Sequence, residues 1–117
     1  MTDPTAGVAE VAPAALIRAA SLAGMGRKSG NLVVGLSAVR RTRELALVLV
    51  EAGIASRTLM ELAALQHRGA RVFRVQALAP LTRVFGRDDV HVIAVKRGPL
   101  ADGMLAKLLA DPPPPSS

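Results

Sequence analysis

Residues 24–43, GMGRKSGNLVVGLSAVRRTR, decide the fold and carry the main candidate site. This stretch predicts a glycine-containing turn, a short strand over 31–34, a break at Gly35 and a helix over 36–42. Loops that carry concentrated charge beside a rigid element are common places for binding sites. The stretch contains no acid, and its basic residues are Arg27, Lys28, Arg40, Arg41 and Arg43.

Helical and strand patterns alternate on both sides of this stretch. Residues 45–50 are apolar on both faces, as in a strand that helices cover from both sides, so Leu47 and Leu49 should be buried. The alternation predicts an α/β fold, a three-layer α/β/α sandwich with a mixed four-stranded sheet and parallel pairing of its middle strands. The other predicted strands are 71–75, near a sheet edge, and 90–95; the other predicted helices are 14–22, ended by Gly24 or Gly26, 56–67, 79–85 and a last helix from Pro99.

The domain organisation follows from length and periodicity. At 117 residues the chain is one domain, which we place at 13–110. Residues 1–12 lack periodicity and are expected to form a disordered tail. Residues 111–117 are rich in proline and are expected to form an unpacked, polyproline II-like tail.

Composition narrows the function classes. The net charge of +6 and the pI of about 11.3 favour a polyanionic partner. The absence of cysteine excludes disulfides and thiolate metal sites. His67 and His91, the only histidines, lie on different predicted elements without an acid cluster, so we expect no metal, no cofactor and no catalysis. The N-terminus lacks a secretory pattern and no apolar run approaches the ~20 residues of a membrane helix, so we expect a cytoplasmic protein.

Three other interpretations of residues 24–43 compete with binding of a polyanionic partner. Gly24, Gly26 and Gly30 resemble a dinucleotide fingerprint, but they follow a predicted helix and their spacing is one residue too long. Lys28-Ser29 resembles the end of a P-loop, but Arg27 stands where glycine is required. Arginines at the end of a predicted helix also suit the negative end of its dipole, so for each of them that role and an RNA contact both stay open.

Four pieces of sequence in a fixed order carry a resemblance. They are the small-residue helix start at 35–39, the buried strand 47–52 followed by Thr58, a strand after Gly69, and the block 81–95. In this order they resemble the "seven-Ae" family of ribosomal proteins, a kink-turn RNA-binding fold, and especially its small bacterial relatives. The resemblance covers about 13–109 and implies a ribosome-associated protein whose partner is structured RNA.

The family reads RNA with a Gly-Thr-Asn-Glu motif at the start of its second helix, where Asn and Glu contact the base edges of sheared G·A pairs. This chain has Gly35-Leu36-Ser37-Ala38 there. An alternative placement uses Ser29-Gly30-Asn31, with Leu32 in place of the acid. In either placement the carboxylate is missing, so base reading is weakened. Phosphate contacts, which carry no sequence information, remain available to Arg27, Lys28 and Arg40.

The resemblance implies a second RNA contact in the loop before the last strand, residues 87–91, where Val90 would pack under a displaced nucleotide. Two function classes follow: a structured-RNA-binding protein, or a protein-interaction module on the same fold, as the family's stress-response relatives illustrate. The candidate RNA-binding residues are Arg27, Lys28, Ser29, Gly30, Asn31, Gly35, Ser37, Arg40, Arg41, Arg87 and Val90.

Overall fold

A computed structural model describes residues 7–83, 86 and 89–109. Its strands are β1 (Ala9–Val11), β2 (Leu32–Val34), β3 (Leu45–Glu51), β4 (Arg71–Val75) and β5 (Val92–Lys96). Its helices are α1 (Pro13–Ser29), α2 (Leu36–Arg41), α3 (Ser56–Ala63), α4 (Ala79–Thr82) and α5 (Pro99–Leu109), and a 3-10 helix, Ala64–Arg68, continues α3.

The strands form one mixed sheet in the order β1-β4-β3-β5-β2. Strands β1, β4 and β3 run parallel, whereas β5 is antiparallel to both β3 and β2. The central strand is β3, where Leu49 lies opposite Phe73 of β4 and Ile93 of β5. The predicted mixed α/β sheet is confirmed.

The predicted count of four strands is wrong, because the described residues contain five. The additional strand, β1, comes from the segment expected to be a tail, and it pairs with β4, Val11 lying opposite Val75. Val11 is buried, and the Glu10 carboxylate accepts a hydrogen bond from the Arg74 guanidinium at 2.6 Å. Strand β1 forms that edge of the sheet, and β4 lies next to it, so the predicted position of residues 71–75 near a sheet edge is confirmed.

Helices cover both faces of the sheet because β3 is apolar on both. Its alternate residues point to opposite faces, so Leu47 and Leu49 join one buried cluster and Val48 and Val50 the other. The first cluster includes side chains of α1, α4 and α5, and the second includes those of α2 and α3. The predicted burial of Leu47 and Leu49 is confirmed.

Helix α1 is longer than predicted and does not end at Gly24 or Gly26. Gly26 is buried, and a Cβ atom there would clash with the Leu100 side chain of α5, so this glycine allows α5 to pack closely against α1. The helix ends instead at Gly30, which takes the left-handed conformation with φ 79°. The extra turn carries Arg27 and Lys28 to the start of β2.

Candidate nucleic-acid interface

The register of the sheet defines two ends of the molecule. Strands β2, β3 and β4 begin where β5 finishes, with Leu45 of β3 opposite Lys96 of β5. We call this the basic end, and its cations are Arg27, Lys28, Arg40, Arg41, Arg43, Arg68, Arg71, Lys96 and Arg97. At the opposite end, the Gly35 N–H donates to the Val92 carbonyl at 2.9 Å. We call that the glycine end, and its residues are Gly35, Leu36, Ser37, Gly53, Ile54, Asp89, Val90 and His91.

Strand β2 divides the predicted site between these two ends. The Asn31 carbonyl accepts a hydrogen bond from the Lys96 N–H, at 3.0 Å, and so marks the basic end. Gly35 follows four residues later, which corresponds to about 13 Å along a strand. The residues predicted from sequence to form one site therefore lie at two separate ends. At the basic end are Arg27, Lys28, Ser29, Gly30 and Asn31, and at the glycine end are Gly35, Ser37 and Val90.

Helix α2 runs back from Gly35 toward the basic end. It finishes at Arg41, and only residues 42–44 separate it from β3, whose first residue, Leu45, lies opposite Lys96. Arg40 and Arg41 therefore join the basic end. The predicted site residue Arg87 lies outside the described residues.

Three of the predicted site residues shape the turn after α1. The Ser29 hydroxyl donates to the Gly26 carbonyl at 3.2 Å, and the Asn31 side-chain amide donates to the Ser29 hydroxyl at 3.0 Å. Gly30 supplies the left-handed conformation that lets the Asn31 N–H reach the same Gly26 carbonyl, at 3.0 Å. These bonds fix the last turn of α1, where Arg27 and Lys28 are exposed.

Arg40 makes a two-bonded ion pair with Glu61 of α3. Its Nε and Nη2 atoms donate to the two carboxylate oxygens, each at 2.7 Å. The hydrogen bond from Arg40 lowers the pKa of Glu61 and raises the pKa of Arg40. The pair connects α2 to α3, so Arg40 reaches a phosphate only by sharing or leaving Glu61, whereas Arg41 is exposed beside it.

Positive charge is concentrated at the basic end. Nine of the fifteen lysines and arginines belong to it, and the described acids near them are Glu44, Asp102 and the paired Glu61. The residues predicted from sequence to bind RNA did not include Arg43, Arg68, Arg71, Lys96 or Arg97. A usable signal existed, because Arg71 begins a predicted strand and Lys96 and Arg97 follow another.

The glycine end contains a groove of about 380 Å³ between the start of α2, the β3–α3 loop and the segment before β5. Apolar lining comes from Leu36, Ile54 and Val90, and polar lining includes Asp89 and His91. Val90 is buried in the wall of this groove, with 4% of its surface exposed. Ser37 is exposed on the first turn of α2.

Glu51 holds the loops of the glycine end together. One carboxylate oxygen lies 2.6 Å from His91 Nδ1, and the other accepts the Leu78 N–H at 2.8 Å. Burial opposes ionisation of Glu51, but these hydrogen bonds outweigh it and lower its pKa. The glycine end thus contains a carboxylate that is held in its charged form, in contrast to the cations of the basic end.

Within the described ranges, no group of three or more histidine, aspartate or glutamate side chains could hold a metal ion. No helix in that part of the chain combines the length and the apolar character needed to cross a membrane. No protein-family model and no curated protein matches the chain. The features of the molecule that bear on its function are therefore the two ends of the sheet.

Proposed function

We propose that the chain is a non-catalytic RNA-binding protein that holds structured RNA mainly through phosphate contacts at the basic end. The observation that carries this proposal is the collection of nine cations from α1, α2, the α2–β3 connection, the 3-10 helix, the start of β4, the end of β5 and the residue after β5. Arginine forks match phosphate geometry, and lysine adds a point charge. The partner is ribosomal or kink-turn-like RNA, and the protein acts in the cytoplasm. The scaffold that presents the cations is a three-layer α/β/α sandwich.

Reading of individual bases contributes little in this proposal. Gly35-Leu36-Ser37-Ala38 has no carboxylate to accept from guanine, so a contact of the kind that discriminates by about 1–3 kcal/mol is missing. Phe73, the aromatic residue that the structure describes, is 2% exposed and offers no surface on which a base could stack. Affinity then comes from the electrostatic, sequence-independent part of binding.

Filter binding of a kink-turn RNA across a salt series tests this function. The affinity should fall steeply, with a log–log slope close to the number of phosphates engaged. Arg27→Glu with Lys28→Glu should weaken binding to all structured RNAs alike, whereas Arg57→Glu with Lys107→Glu, exposed positions away from the basic end, should weaken it less. Exchanging the G·A pairs should change affinity little. A flat salt dependence would contradict the proposal.

A second candidate function is supported by the groove at the glycine end. Its apolar residues Leu36 and Ile54, with Asp89 and His91 beside them, suit a protein segment better than a phosphate backbone. In this alternative the chain is a protein-interaction module without RNA. The absorbance ratio of the purified protein, before and after a high-salt wash, separates the two, because only the RNA-binding protein should carry nucleic acid that salt removes.

A further inference from the structure

A small pocket of about 120 Å³ opens at the basic end between the α2–β3 connection, the 3-10 helix and the segment after β5. Three arginines from these separate segments line it, Arg43, Arg68 and Arg97. The remaining lining consists of the apolar Leu45, Leu65 and Ala70 together with the polar Thr42 and Glu44. Arg43, Arg68 and Arg97 are far apart in sequence, so only the folded chain assembles this pocket.

The position of Arg97 is fixed by both its backbone and its side chain. Its N–H donates to the Glu44 carbonyl at 2.9 Å, and its Nη2 donates to the Arg68 carbonyl at 2.7 Å. Gly69 lies beneath this guanidinium with φ 93°, and a Cβ atom there would lie 3.2 Å from Nη2. A guanidinium has five N–H donors, so one bond to a carbonyl orients it and leaves donors for an anion.

The backbone beside the pocket is strained. Glu44 has φ 60°, and it is the non-glycine residue with a positive φ among the described residues. Such conformations are uncommon for residues with a side chain and persist only where surrounding contacts enforce them. Here the bond from the Arg97 N–H to the Glu44 carbonyl connects the strained turn to the arginine that lines the pocket.

We propose that the pocket formed by Arg43, Arg68 and Arg97 binds a phosphate group, and that this group is a backbone phosphate of the bound RNA; the second part rests on the proposed function. The volume suits a group of a few heavy atoms. Arg43, Arg68 and Arg97 are all exposed, so an anion can reach their guanidinium groups from solvent. Glu44 is exposed, so its carboxylate can stay in solvent.

Charge around the pocket favours a polyanion over an isolated carboxylate. Arg71 and Lys96 lie at the ends of the neighbouring strands, so positive charge continues beyond the pocket across the sheet. Because β4 and β5 flank β3, Arg71 and Lys96 lie on either side of the strand that follows Arg43. One phosphate in the pocket would thus place its neighbours beside further cations.

The test compares two double variants. The pocket variant combines Arg43→Gln and Arg97→Gln, and the control variant combines Arg57→Gln and Lys107→Gln, which removes the same charge at exposed positions away from the basic end. Inorganic phosphate should shift the arginine Nε–Hε NMR signals of the wild-type pocket. The pocket variant should bind duplex RNA at least about tenfold more weakly, as expected for lost charged hydrogen bonds, and its salt slope should fall by about one. The control should change affinity less than about twofold, as expected for cations outside the contact.

Each outcome decides a different part of the inference. Shifted arginine signals with RNA affinity equal to the control would assign the pocket to a free phosphate and overturn the backbone assignment. Unshifted signals and control-like affinity would overturn the pocket altogether, while RNA binding by the wild type would leave the proposed function standing. Phosphate-dependent shifts in a protein that binds no RNA would support the pocket and refute the proposed function. If the double variant does not fold, Arg97→Lys, which keeps the charge but loses the fork, and Arg43→Gln alone are compared with the same control.

Discussion

At Gly35 the backbone takes φ 93° and ψ 149°, a conformation that side-chain-bearing residues rarely adopt. A Cβ atom added there would contact no other part of the protein within 4 Å, so any effect of alanine comes from the backbone rather than from a clash. Gly35→Ala should therefore lower the free energy of unfolding by about 1–3 kcal/mol in urea denaturation.

Gly53→Ala is the matched control for this change. Gly53 also has open space around it, but its φ is not in the left-handed range. Alanine there should be neutral or stabilise the protein by up to about 1 kcal/mol, because it restricts the unfolded chain. Equal destabilisation by the two substitutions would show that the backbone of Gly35 is not the cause.

The Glu51 carboxylate should make stability depend on pH. Its pKa is lower in the folded protein than the ordinary value of 4.5, because the bonds from His91 and Leu78 outweigh the effect of burial. A group with a depressed folded pKa stabilises the fold above its unfolded pKa, and this contribution disappears as the pH falls through the folded value.

Glu51→Gln should accordingly cost about 1 kcal/mol at pH 7, and the difference from the wild type should shrink as the pH falls below 4.5. Urea denaturation of both proteins from pH 7 down to pH 3 measures it. A difference that stays constant over that range would show that the charge of Glu51 contributes nothing to stability.

Among the elements, β3 holds both clusters of buried side chains together. Leu47 is 1% exposed and packs with side chains of α1 and α5 in the first cluster. Leu47→Ala should cost about 2–5 kcal/mol, because it leaves a cavity in the central strand. Ile17→Ala on α1 is the control, since Ile17 is 60% exposed and its loss should stay within about 0.5 kcal/mol. A melting temperature of Leu47→Ala within a degree of the wild type would contradict the central place of β3.

The elements that the sequence predicted well are those with a long or continuous apolar pattern. Strand β3 and helix α5 follow from residues 45–50 and from the apolar positions after Pro99. The three-residue strand β1 was missed because its formation depends on pairing with β4, which no local pattern reveals. The end of α1 was misplaced because Gly26 serves packing against α5 rather than termination.

At the scale of the whole molecule, the candidate site was harder to predict than the fold. Continuity in sequence suggested one site over residues 24–43, but β2 carries Gly35 away from Asn31 to the other end of the sheet. Conversely, Arg68 and Arg97 are distant from Arg43 in sequence, and only the sheet register and the 3-10 helix bring the three arginines together around one pocket. The charge of the site was visible in the composition, whereas its arrangement required the tertiary structure.

Contact between RNA and the basic end can be mapped by amide NMR with a structured RNA hairpin. Saturating RNA should shift or broaden the backbone signals of Asn31, Arg43 and Lys96. The signals of Gly35 and Gly53 at the glycine end should stay in place. If the largest changes occur at Gly35 and Gly53 while the signals of the basic end stay unchanged, RNA does not bind at the basic end.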